Sequence, residues 1–285
     1  MYIGRFAPSP TGPLHFGSLV AAVASFLDAR AAKGRWLVRI EDLDRPRCVP
    51  GAADDILRTL ERLGLAWDGE VVYQSKRHSL YADALRRLQG RTYWCTCSRR
   101  EVADSSLGLA ADGAHIYPGT CRGAGLQAGR ALRVRTAADE ICFQDRVQGK
   151  QCQTLEHDVG DFVLHRADGI YTYQLAVVVD DAAQGMTDVV RGADLLDSTP
   201  RQIHLQHLLG LATPRYLHVP AAVNTKGEKL SKQTGAHAVA PTWASVRQAL
   251  DFLGQPKSGS LDEAVRSWDT ALIAAGRAAP SPTVE

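Results

Sequence analysis

The chain has 285 residues, 45% of them hydrophobic, and a formal net charge of +2 at pH 7. This length can bury a substantial core, which favours one large domain with small appendages, and the nearly balanced charge argues against a general polyanion binder. No apolar run reaches the roughly 18 residues of a membrane span. A predicted strand at Tyr2 leaves no room for a signal peptide, so we expect a soluble cytoplasmic protein without a membrane partner.

The first predicted strand runs from Tyr2 to Phe6, and a turn rich in proline and glycine follows it. An apolar helical pattern resumes after Gly17, so the break between strand and helix spans His15, Gly17 and Ser18. Free backbone N–H groups and the positive end of a helix dipole meet there, which suits a phosphate, and Gly17 would let a ligand approach the backbone. A strained loop beside a core histidine explains this pattern equally well on its own.

The next predicted strand, Trp36 to Ile40, ends at an acidic stretch that begins with Glu41. A helix predicted from Ala52 to Leu63 completes a β-α-β-α order, which indicates a parallel sheet. Ligands of such sheets bind beyond the carboxyl ends of the strands, where Glu41 and the turn after the first strand both fall. We therefore prefer a site role for Glu41 over a solvated loop with salt bridges.

The apolar periodicity is lost between residues 93 and 135, which indicates an insertion. This segment is too poor in apolar residues to form its own core, so a metal would have to stabilise it. Cys95, Cys97 and Cys121 supply thiolates of the kind that hold Zn²⁺, with His115 as the ordinary candidate for a fourth ligand. Three free thiols without a metal are the alternative. The other cysteines are spaced as isolated buried thiols: Cys48, Cys142 and Cys152.

Further along, an apolar run follows Tyr173 and predicts a buried strand or helix, with the tyrosine facing out of the core. Arg191 ends a strand rich in valine. An arginine at such a position suits a bidentate grip on a carboxylate. Ion pairing with Asp188 or Asp194 is the alternative.

Two separated motifs together carry a family resemblance. The basic segment Lys226-Gly-Glu-Lys-Leu-Ser-Lys-Gln233 has no amphipathic period and alone would be a solvated turn. Together with His15-Phe-Gly-Ser18 it resembles the HIGH and KMSKS motifs of class I aminoacyl-tRNA synthetases, although Ser18 replaces the second histidine, and a leucine and a glutamine replace Met and Ser of the second motif. Arg5-Phe-Ala-Pro-Ser-Pro-Thr-Gly12 and Val190-Arg-Gly-Ala-Asp-Leu195 are similar to the glutamyl branch.

The resemblance implies a set of roles for residues of this chain. ATP, with Mg²⁺, would be bound by His15, Gly17, Ser18, Lys229 and Lys232, and catalysis would rest on His15, Ser18, Lys229 and Lys232. L-Glutamate would be bound by Arg5, Ser9, Glu41, Tyr173 and Arg191. The resemblance to the zinc site of the short glutamyl-synthetase-like enzymes implies that Cys95, Cys97 and Cys121 are ligands and that the fourth ligand is Tyr117 and not His115.

The acceptor is implied by how little chain follows the basic segment. Only 52 residues remain after Gln233, too few for the helical anticodon-binding region of a full glutamyl-tRNA synthetase. The chain thus resembles the truncated paralogues that transfer glutamate to the cyclopentene-diol of queuosine in the anticodon stem-loop of tRNA(Asp). A short enzyme charging tRNA(Glu) and a catalytically silent tRNA-binding paralogue are the alternatives, and a nucleotidyltransferase explains fewer residues.

We therefore predict an α/β protein with a Rossmann-type parallel sheet, a zinc-bearing insertion and a short helical C-terminal segment. The catalytic domain would comprise residues 1–92 and 136–240, and the zinc-binding insertion residues 93–135. Two helices would follow over residues 241–277, ahead of a disordered tail at 278–285. The sequence does not determine the oligomeric state, and we expect a monomer.

Overall fold

The computed structural model describes residues 1–224 and 238–281. Strands in these ranges are β1 Ile3–Phe6, β2 Arg35–Ile40, β3 Val72–Tyr73, β4 Thr92–Cys95, β5 Ala131–Val134, β6 Glu140–Asp145, β7 Gly149–Thr154, β8 Val163–His165, β9 Asp188–Gly192, β10 Arg215–Val219, β11 Ala221–Val223 and β12 Ala278–Pro280. Helices are α1 Phe16–Ala31, α2 Ala52–Arg62, α3 His78–Arg87, α4 Arg99–Asp104, α5 Leu155–Asp158, α6 Tyr173–Ala183, α7 Thr199–Leu209, α8 Trp243–Phe252 and α9 Leu261–Ser267.

The predicted parallel sheet is confirmed. β1 pairs with β2, β2 with β3 and β9 with β10, each time in parallel. β9 lies beside β1, where the backbone N–H of Thr187 donates to the carbonyl of Ile3 at 3.0 Å. The neighbouring order is therefore β3-β2-β1-β9-β10. β6 adds to the β10 edge and forms an antiparallel hairpin with β7.

Helices cover both faces of this sheet. Val38 and Ile40 of β2 belong to the hydrophobic core around α1. Arg39, between them, donates to Asp181 of α6 at 2.7 Å. Because successive side chains of a strand point to opposite faces, α1 and α6 lie on opposite sides of the sheet. The apolar run after Tyr173 is thus a helix, α6, and not a strand.

Helix α1 begins directly after the proline-rich turn. His15 is its N-cap, and the ring Nδ1 of His15 accepts a hydrogen bond from the backbone N–H of Ser18 at 3.3 Å. The helix then buries Leu19, Val23 and Leu27 completely. Helix α1 is buried on several faces instead of along one amphipathic stripe, and this burial fixes the orientation of its first turn against the sheet.

The region of the predicted insertion is tied to the catalytic body at several points. β4 pairs antiparallel with β5, and β5 with β8, so the segment between β4 and β5 returns to the same small sheet. Arg201 of α7 donates to Asp112 at 2.7 Å, and the hydroxyl of Tyr93 donates to Asp161 at 2.6 Å. The division of the chain into separate domains stays a prediction.

The C-terminal helices pack on α1. The ring of Phe252 in α8 meets that of Phe16 edge-on, with centroids 5.7 Å apart, and Trp268 donates to Asp28 of α1 at 3.1 Å. α8 and α9 are the two helices predicted over residues 241–277, and α9 ends early in that range because the backbone of Trp268 is extended. In residues 1–224 and 238–281, no helix has the length and apolarity needed to cross a membrane.

Part of the tail predicted to be disordered is a strand. Ala278 of β12 faces Ala221 of β11 in a parallel pair, and the N–H of Ala221 donates to the carbonyl of Arg277 at 3.0 Å. Arg277 also donates to Asp197 at 2.9 Å. The prediction of disorder is wrong for residues 278–280, since β11 offers backbone groups that need partners and these small residues satisfy them.

Two of the three cysteines predicted to be buried thiols form a disulfide. Cys142 and Cys152 face each other across the β6–β7 hairpin, are exposed, and are bonded to one another. Cys48 is a free thiol but only half-buried. The prediction is wrong because the spacing of ten residues does not reveal that a hairpin sets the two cysteines directly opposite each other.

Candidate active site

A cavity of about 550 Å³ opens at the carboxyl ends of four parallel strands. Its wall includes Phe6, Glu41, Gly192 and Val219, which lie at or next to the ends of β1, β2, β9 and β10. The described residues predicted to bind ATP or glutamate all line it: Arg5, Ser9, His15, Gly17, Ser18, Glu41, Tyr173 and Arg191. Residues from distant parts of the chain therefore meet at one site.

The turn at the start of α1 presents a hydroxyl to this cavity. The backbone N–H of Ser18 donates to Nδ1 of His15, and Nε2 of His15 lies 2.9 Å from Oγ of Ser18. An imidazole that accepts at Nδ1 carries its proton on Nε2 when it is neutral, so Oγ of Ser18 accepts from the ring. The hydroxyl proton of Ser18 is then left for a ligand oxygen.

Lys229 and Lys232 lie outside the described residues, but the chain on both sides of them reaches the cavity. Ala222 of β11 lines the cavity ahead of them. After them, Ala238 forms an isolated β-bridge with His15. The described residues on either side of the two lysines therefore lie beside the cavity and the turn that begins α1.

Arg5 is held by the carboxylate of Asp181. Its Nε and Nη2 donate to Asp181 at 3.1 and 3.2 Å, and Arg39 donates to the same carboxylate. Burial raises the pKa of Asp181, but the charges of Arg5 and Arg39 outweigh it and the pKa lies below its ordinary value. Asp181 is therefore an anion that Arg5 shares with Arg39.

Glu41 is a cavity carboxylate whose charge is only partly compensated. Arg39 donates to it at 3.2 Å, but Arg39 is shared with Asp181. Burial raises the pKa of Glu41, and the charges of Arg39 and Arg5 offset this only in part. A cationic ligand group beside Glu41 would complete its neutralisation and stabilise the ionised form.

Arg191 has a different environment from Arg5. Its Nε donates to Nε2 of His218 at 3.0 Å, its Nη1 to the hydroxyl of Tyr173 at 3.1 Å, and its Nη2 to Thr199 at 2.9 Å. Among the described residues, none of these partners is a carboxylate. Asp188, one predicted ion-pair partner, is bonded to Arg215 instead, at 2.8 Å. The cavity thus holds a buried guanidinium without a direct counter-ion in the described chain.

Tyr173 supplies a donor next to this guanidinium. Burial raises the pKa of Tyr173, although the charge of Arg191 lowers it, so the hydroxyl keeps its proton at neutral pH. Its oxygen accepts from Arg191, which leaves its O–H for a ligand oxygen. The two residues together are suited to bind a carboxylate.

His218 and Asp145 were not predicted from the sequence. Nδ1 of the fully buried His218 lies 2.7 Å from Oδ2 of Asp145, and Nε2 faces Arg191. A histidine inside the apolar run Tyr-Leu-His-Val of β10 resembles an ordinary core residue. The signal that could have found it is a polar residue in a strand whose neighbours are all apolar.

Three sulfur atoms form a cluster of the right size for a metal. The Sγ atoms of Cys95, Cys97 and Cys121 lie within 4.8 Å of one another, and those of Cys97 and Cys121 are 3.5 Å apart. Zn–S bonds of about 2.3 Å in a tetrahedron place sulfurs about 3.8 Å apart, so the three thiols fit Zn²⁺.

The hydroxyl of Tyr117 lies next to this cluster. It lies 3.4 Å from Sγ of Cys95 and 3.6 Å from Sγ of Cys97. The guanidinium of Arg133 lies 3.8 Å from the centroid of the tyrosine ring, and burial raises the pKa of the Tyr117 hydroxyl above its ordinary value. His115 is exposed and does not join the cluster.

Comparison with known proteins agrees with this geometry. Residues 3–253 match the family model described as tRNA synthetases class I (E and Q), catalytic domain. The glutamyl-Q tRNA(Asp) synthetase of Dechloromonas aromatica (strain RCB) is 64% identical over 261 residues, which cover 89% of this chain and 86% of that protein. The protein of the same name from Verminephrobacter eiseniae (strain EF01-2) is 56% identical over 283 residues, 96% of each chain.

A solved structure shows the same fold. It is a glutamate tRNA ligase from Elizabethkingia meningosepticum CCUG26117 in complex with its amino acid, with a TM-score of 0.83 and 24% identity. The match covers 99% of this chain and 67% of that one. The chain therefore belongs to the class I tRNA synthetases for glutamate and glutamine, and within them to the group of glutamyl-Q tRNA(Asp) synthetases.

Proposed function

We propose that this protein activates L-glutamate with ATP and transfers the glutamyl group to queuosine at the wobble position of tRNA(Asp). The observation that carries the proposal is one cavity in which a turn suited to phosphate, an undercompensated carboxylate and a guanidinium without a direct counter-ion lie together. The names of the similar proteins support the same amino acid and the same acceptor.

ATP is assigned to the turn that begins α1. Backbone N–H groups and the helix dipole favour phosphate there, Gly17 permits a close approach, and the hydroxyl of Ser18 can donate to an oxygen. Class I synthetases use Mg²⁺, which neutralises phosphate charge when bound. Lys229 follows Asn224 by five positions in the sequence. With Lys232 it meets the charge that develops on pyrophosphate.

L-Glutamate is assigned to the part of the cavity lined by Arg5, Glu41 and Arg191. Its ammonium group neutralises Glu41, whose pKa is raised by burial and only partly lowered by Arg39 and Arg5. Arg191 and the hydroxyl of Tyr173 bind a carboxylate, while Arg5 keeps Nη1 for the ligand because its Nε and Nη2 are taken by Asp181. Ser9 lines the cavity and adds a hydroxyl.

The reaction has two displacement steps. A carboxylate oxygen of glutamate attacks the α-phosphorus of ATP, the bond to the β-phosphate oxygen breaks, and pyrophosphate leaves. A hydroxyl of the cyclopentene-diol then attacks the carbonyl carbon of the adenylate, loses its proton, and AMP leaves with the electrons of the broken C–O bond. The diol resembles the ribose diol of a terminal adenosine, so a catalytic domain can accept the anticodon stem-loop in place of an acceptor end.

The zinc ion has a structural role in this proposal. Cys95, Cys97, Cys121 and Tyr117 hold one Zn²⁺, and four protein ligands leave no open position for a reacting water. The ion holds together the loop whose small cluster buries little apolar surface of its own. We propose a monomer, which light scattering after size exclusion would check.

Charging assays test the acceptor. We expect the protein to attach radiolabelled glutamate to queuosine-containing tRNA(Asp), and not to queuosine-free tRNA(Asp) or to tRNA(Glu). Charging of tRNA(Glu) would identify the short glutamyl-tRNA synthetase instead. No charging of any of the three would indicate a catalytically silent tRNA-binding paralogue.

The activation step can be tested separately. We expect ATP–pyrophosphate exchange that depends on glutamate and requires no tRNA, because the described residues for both substrates lie in one cavity. Exchange that begins only after tRNA(Glu) is added would contradict this and favour the alternative enzyme.

A further inference from the structure

A chain of buried hydrogen bonds leads from Asp145 on β6 through His218 on β10 to Arg191 on β9. Oδ2 of Asp145 is 2.7 Å from Nδ1 of His218, and Nε2 of His218 is 3.0 Å from Nε of Arg191. The side chains of Asp145 and His218 have no exposed surface, and Arg191 is 5% exposed. Only Arg191 of the three lines the cavity.

The direction of these hydrogen bonds follows from the arginine. Nε of a guanidinium always carries hydrogen and can only donate, so Nε2 of His218 must accept with its lone pair. The ring is then neutral and carries its hydrogen on Nδ1, which donates to Asp145. Thr199 agrees with this, since it accepts from Arg191 and its hydroxyl lies 3.3 Å from the same Nε2.

Asp145 is fixed as the acceptor at the end of the chain. Its Oδ1 accepts from the backbone N–H groups of Val147 at 3.0 Å, Gln148 at 2.8 Å and His218 at 3.2 Å. These three donors fix the orientation of the carboxylate, and an ionised carboxylate can only accept a hydrogen bond from the imidazole. The tautomer of His218 is therefore set from the side that faces away from the cavity.

The hydrogen bonds from Asp145 through His218 orient Arg191 without placing a carboxylate in direct contact with its guanidinium. Arg5, on the same cavity, is bonded directly to the carboxylate of Asp181. Arg191 has a neutral imidazole in the corresponding place, and the carboxylate of Asp145 lies one ring further away. A direct ion pair would orient the guanidinium equally well but would cancel much of the charge that a ligand carboxylate needs.

We propose that His218, held in one tautomer by Asp145, is a positioning residue that aims Arg191 at the carboxylate of the amino-acid substrate while leaving its charge available. This inference rests on the proposed function, in which the cavity binds glutamate. His218 touches neither substrate nor ATP, and its effect reaches the ligand only through Arg191.

The first test separates the two substrates of ATP–pyrophosphate exchange. His218→Leu removes the acceptor for Arg191, and we expect the KM for glutamate to rise by about tenfold or more, with the KM for ATP within about twofold. His218→Gln offers an amide oxygen near the place of Nε2 and should recover most of the glutamate affinity. Equal rises in both KM values, or an unchanged KM for glutamate in His218→Leu, would overturn the proposal.

Asp145→Asn provides a second variant of nearly the same size. The amide would present an N–H group to Nδ1 of His218, which favours the tautomer with hydrogen on Nε2. The N–H groups of Nε2 and of Nε in Arg191 would then face each other, so the KM for glutamate should again rise about tenfold. Asp188→Asn is the matched control, because Asp188 is equally buried on the same sheet but bonds Arg215. We expect its KM for glutamate to change less than about twofold.

A measurement without activity separates this inference from the proposed function. NMR spectra of protein labelled with ¹⁵N-histidine are recorded without substrates, and the His218 resonances are identified as those missing from His218→Gln. We expect them to show a protonated Nδ1 and an unprotonated Nε2 at neutral pH. The reverse tautomer would overturn the inference even if glutamate is activated. A third outcome is wild-type protein that shows the expected tautomer but neither binds glutamate in calorimetry nor catalyses ATP–pyrophosphate exchange. That result would contradict the proposed function, and the positioning role with it.

Discussion

Arg5 and Asp181 are joined by two parallel hydrogen bonds in the wall of the cavity, 3.1 Å from Nε and 3.2 Å from Nη2. Asp181 also accepts from Arg39, whose side chain has no exposed surface. Asp181→Ala would leave two buried cations short of their shared partner. We expect a loss of about 3–5 kcal/mol in the free energy of unfolding, measured by urea denaturation.

A surface pair provides the control for this change. Asp104 and Arg100 are exposed and 3.7 Å apart on α4. Asp104→Ala should alter the free energy of unfolding by less than about 1 kcal/mol. Similar losses in both variants would mean that the buried carboxylate does not hold the cavity wall together.

Lys232→Ala and Arg191→Ala should affect different steps. The lysine is proposed to meet charge that moves onto pyrophosphate during the reaction, whereas the arginine meets a carboxylate that is charged from the start. We expect Lys232→Ala to slow single-turnover adenylate formation about a hundredfold with nearly normal glutamate binding. Arg191→Ala should weaken glutamate in a binding titration. An effect of Lys232→Ala on glutamate affinity alone would show that the roles are assigned wrongly.

Removal of one thiolate should remove the metal. We expect wild-type protein to contain one equivalent of zinc by elemental analysis and Cys97→Ser to contain much less, because three ligands hold the ion more weakly than four. Tyr117→Phe should also lower the zinc content, and His115→Ala should not, since only Tyr117 lies among the sulfurs. Full zinc in Tyr117→Phe would point to a ligand other than the phenol.

The free energy of unfolding should fall as the solution becomes acidic. Burial, with the charge of Arg191, lowers the pKa of His218 to about 4 from an ordinary value of 6.5, although Asp145 opposes this. The unfolded chain therefore binds a proton between those values that the folded protein does not. Stability is full above about pH 6.5 and should be lower by about 2 kcal/mol at pH 5.

The contribution of this one histidine can be isolated. Burial also lowers the pKa of His204, which acts in the same direction. His218→Gln lacks the first titration and keeps the second, so its free energy of unfolding should depend less steeply on pH than that of wild type over the same window. Parallel curves for the two proteins would show that His218 does not titrate as expected.

Sequence patterns predicted the parts of the site that follow the ends of strands. Glu41 and the turn at His15 could be placed together because parallel strands bring their carboxyl ends to one edge of the sheet. The resemblance to a family supplied the roles of Tyr173 and Arg191. From the sequence pattern alone, an ion pair with a nearby aspartate is the alternative role for Arg191. The structure places all four on one cavity.

The partners of these residues could not be predicted, because they depend on long-range contacts between side chains. Asp145 and His218 are 73 positions apart in the chain, and each alone has the pattern of an ordinary strand residue. The pairing of Ala278 with Ala221 likewise depends on an edge that exists only in the folded sheet. Periodicity reports which face of an element is buried and carries no information about such pairs.

Two groups of cysteines in this chain favour opposite redox conditions if the proposed zinc ion is bound. Cys95, Cys97 and Cys121 would bind the proposed metal only as reduced thiolates, whereas the covalent link across the β6–β7 hairpin exists only in oxidised form. A strong reductant added to protect the first group would open the second. Purification in a zinc-containing buffer without added thiol therefore suits both groups, and alkylation of the native protein would count them separately.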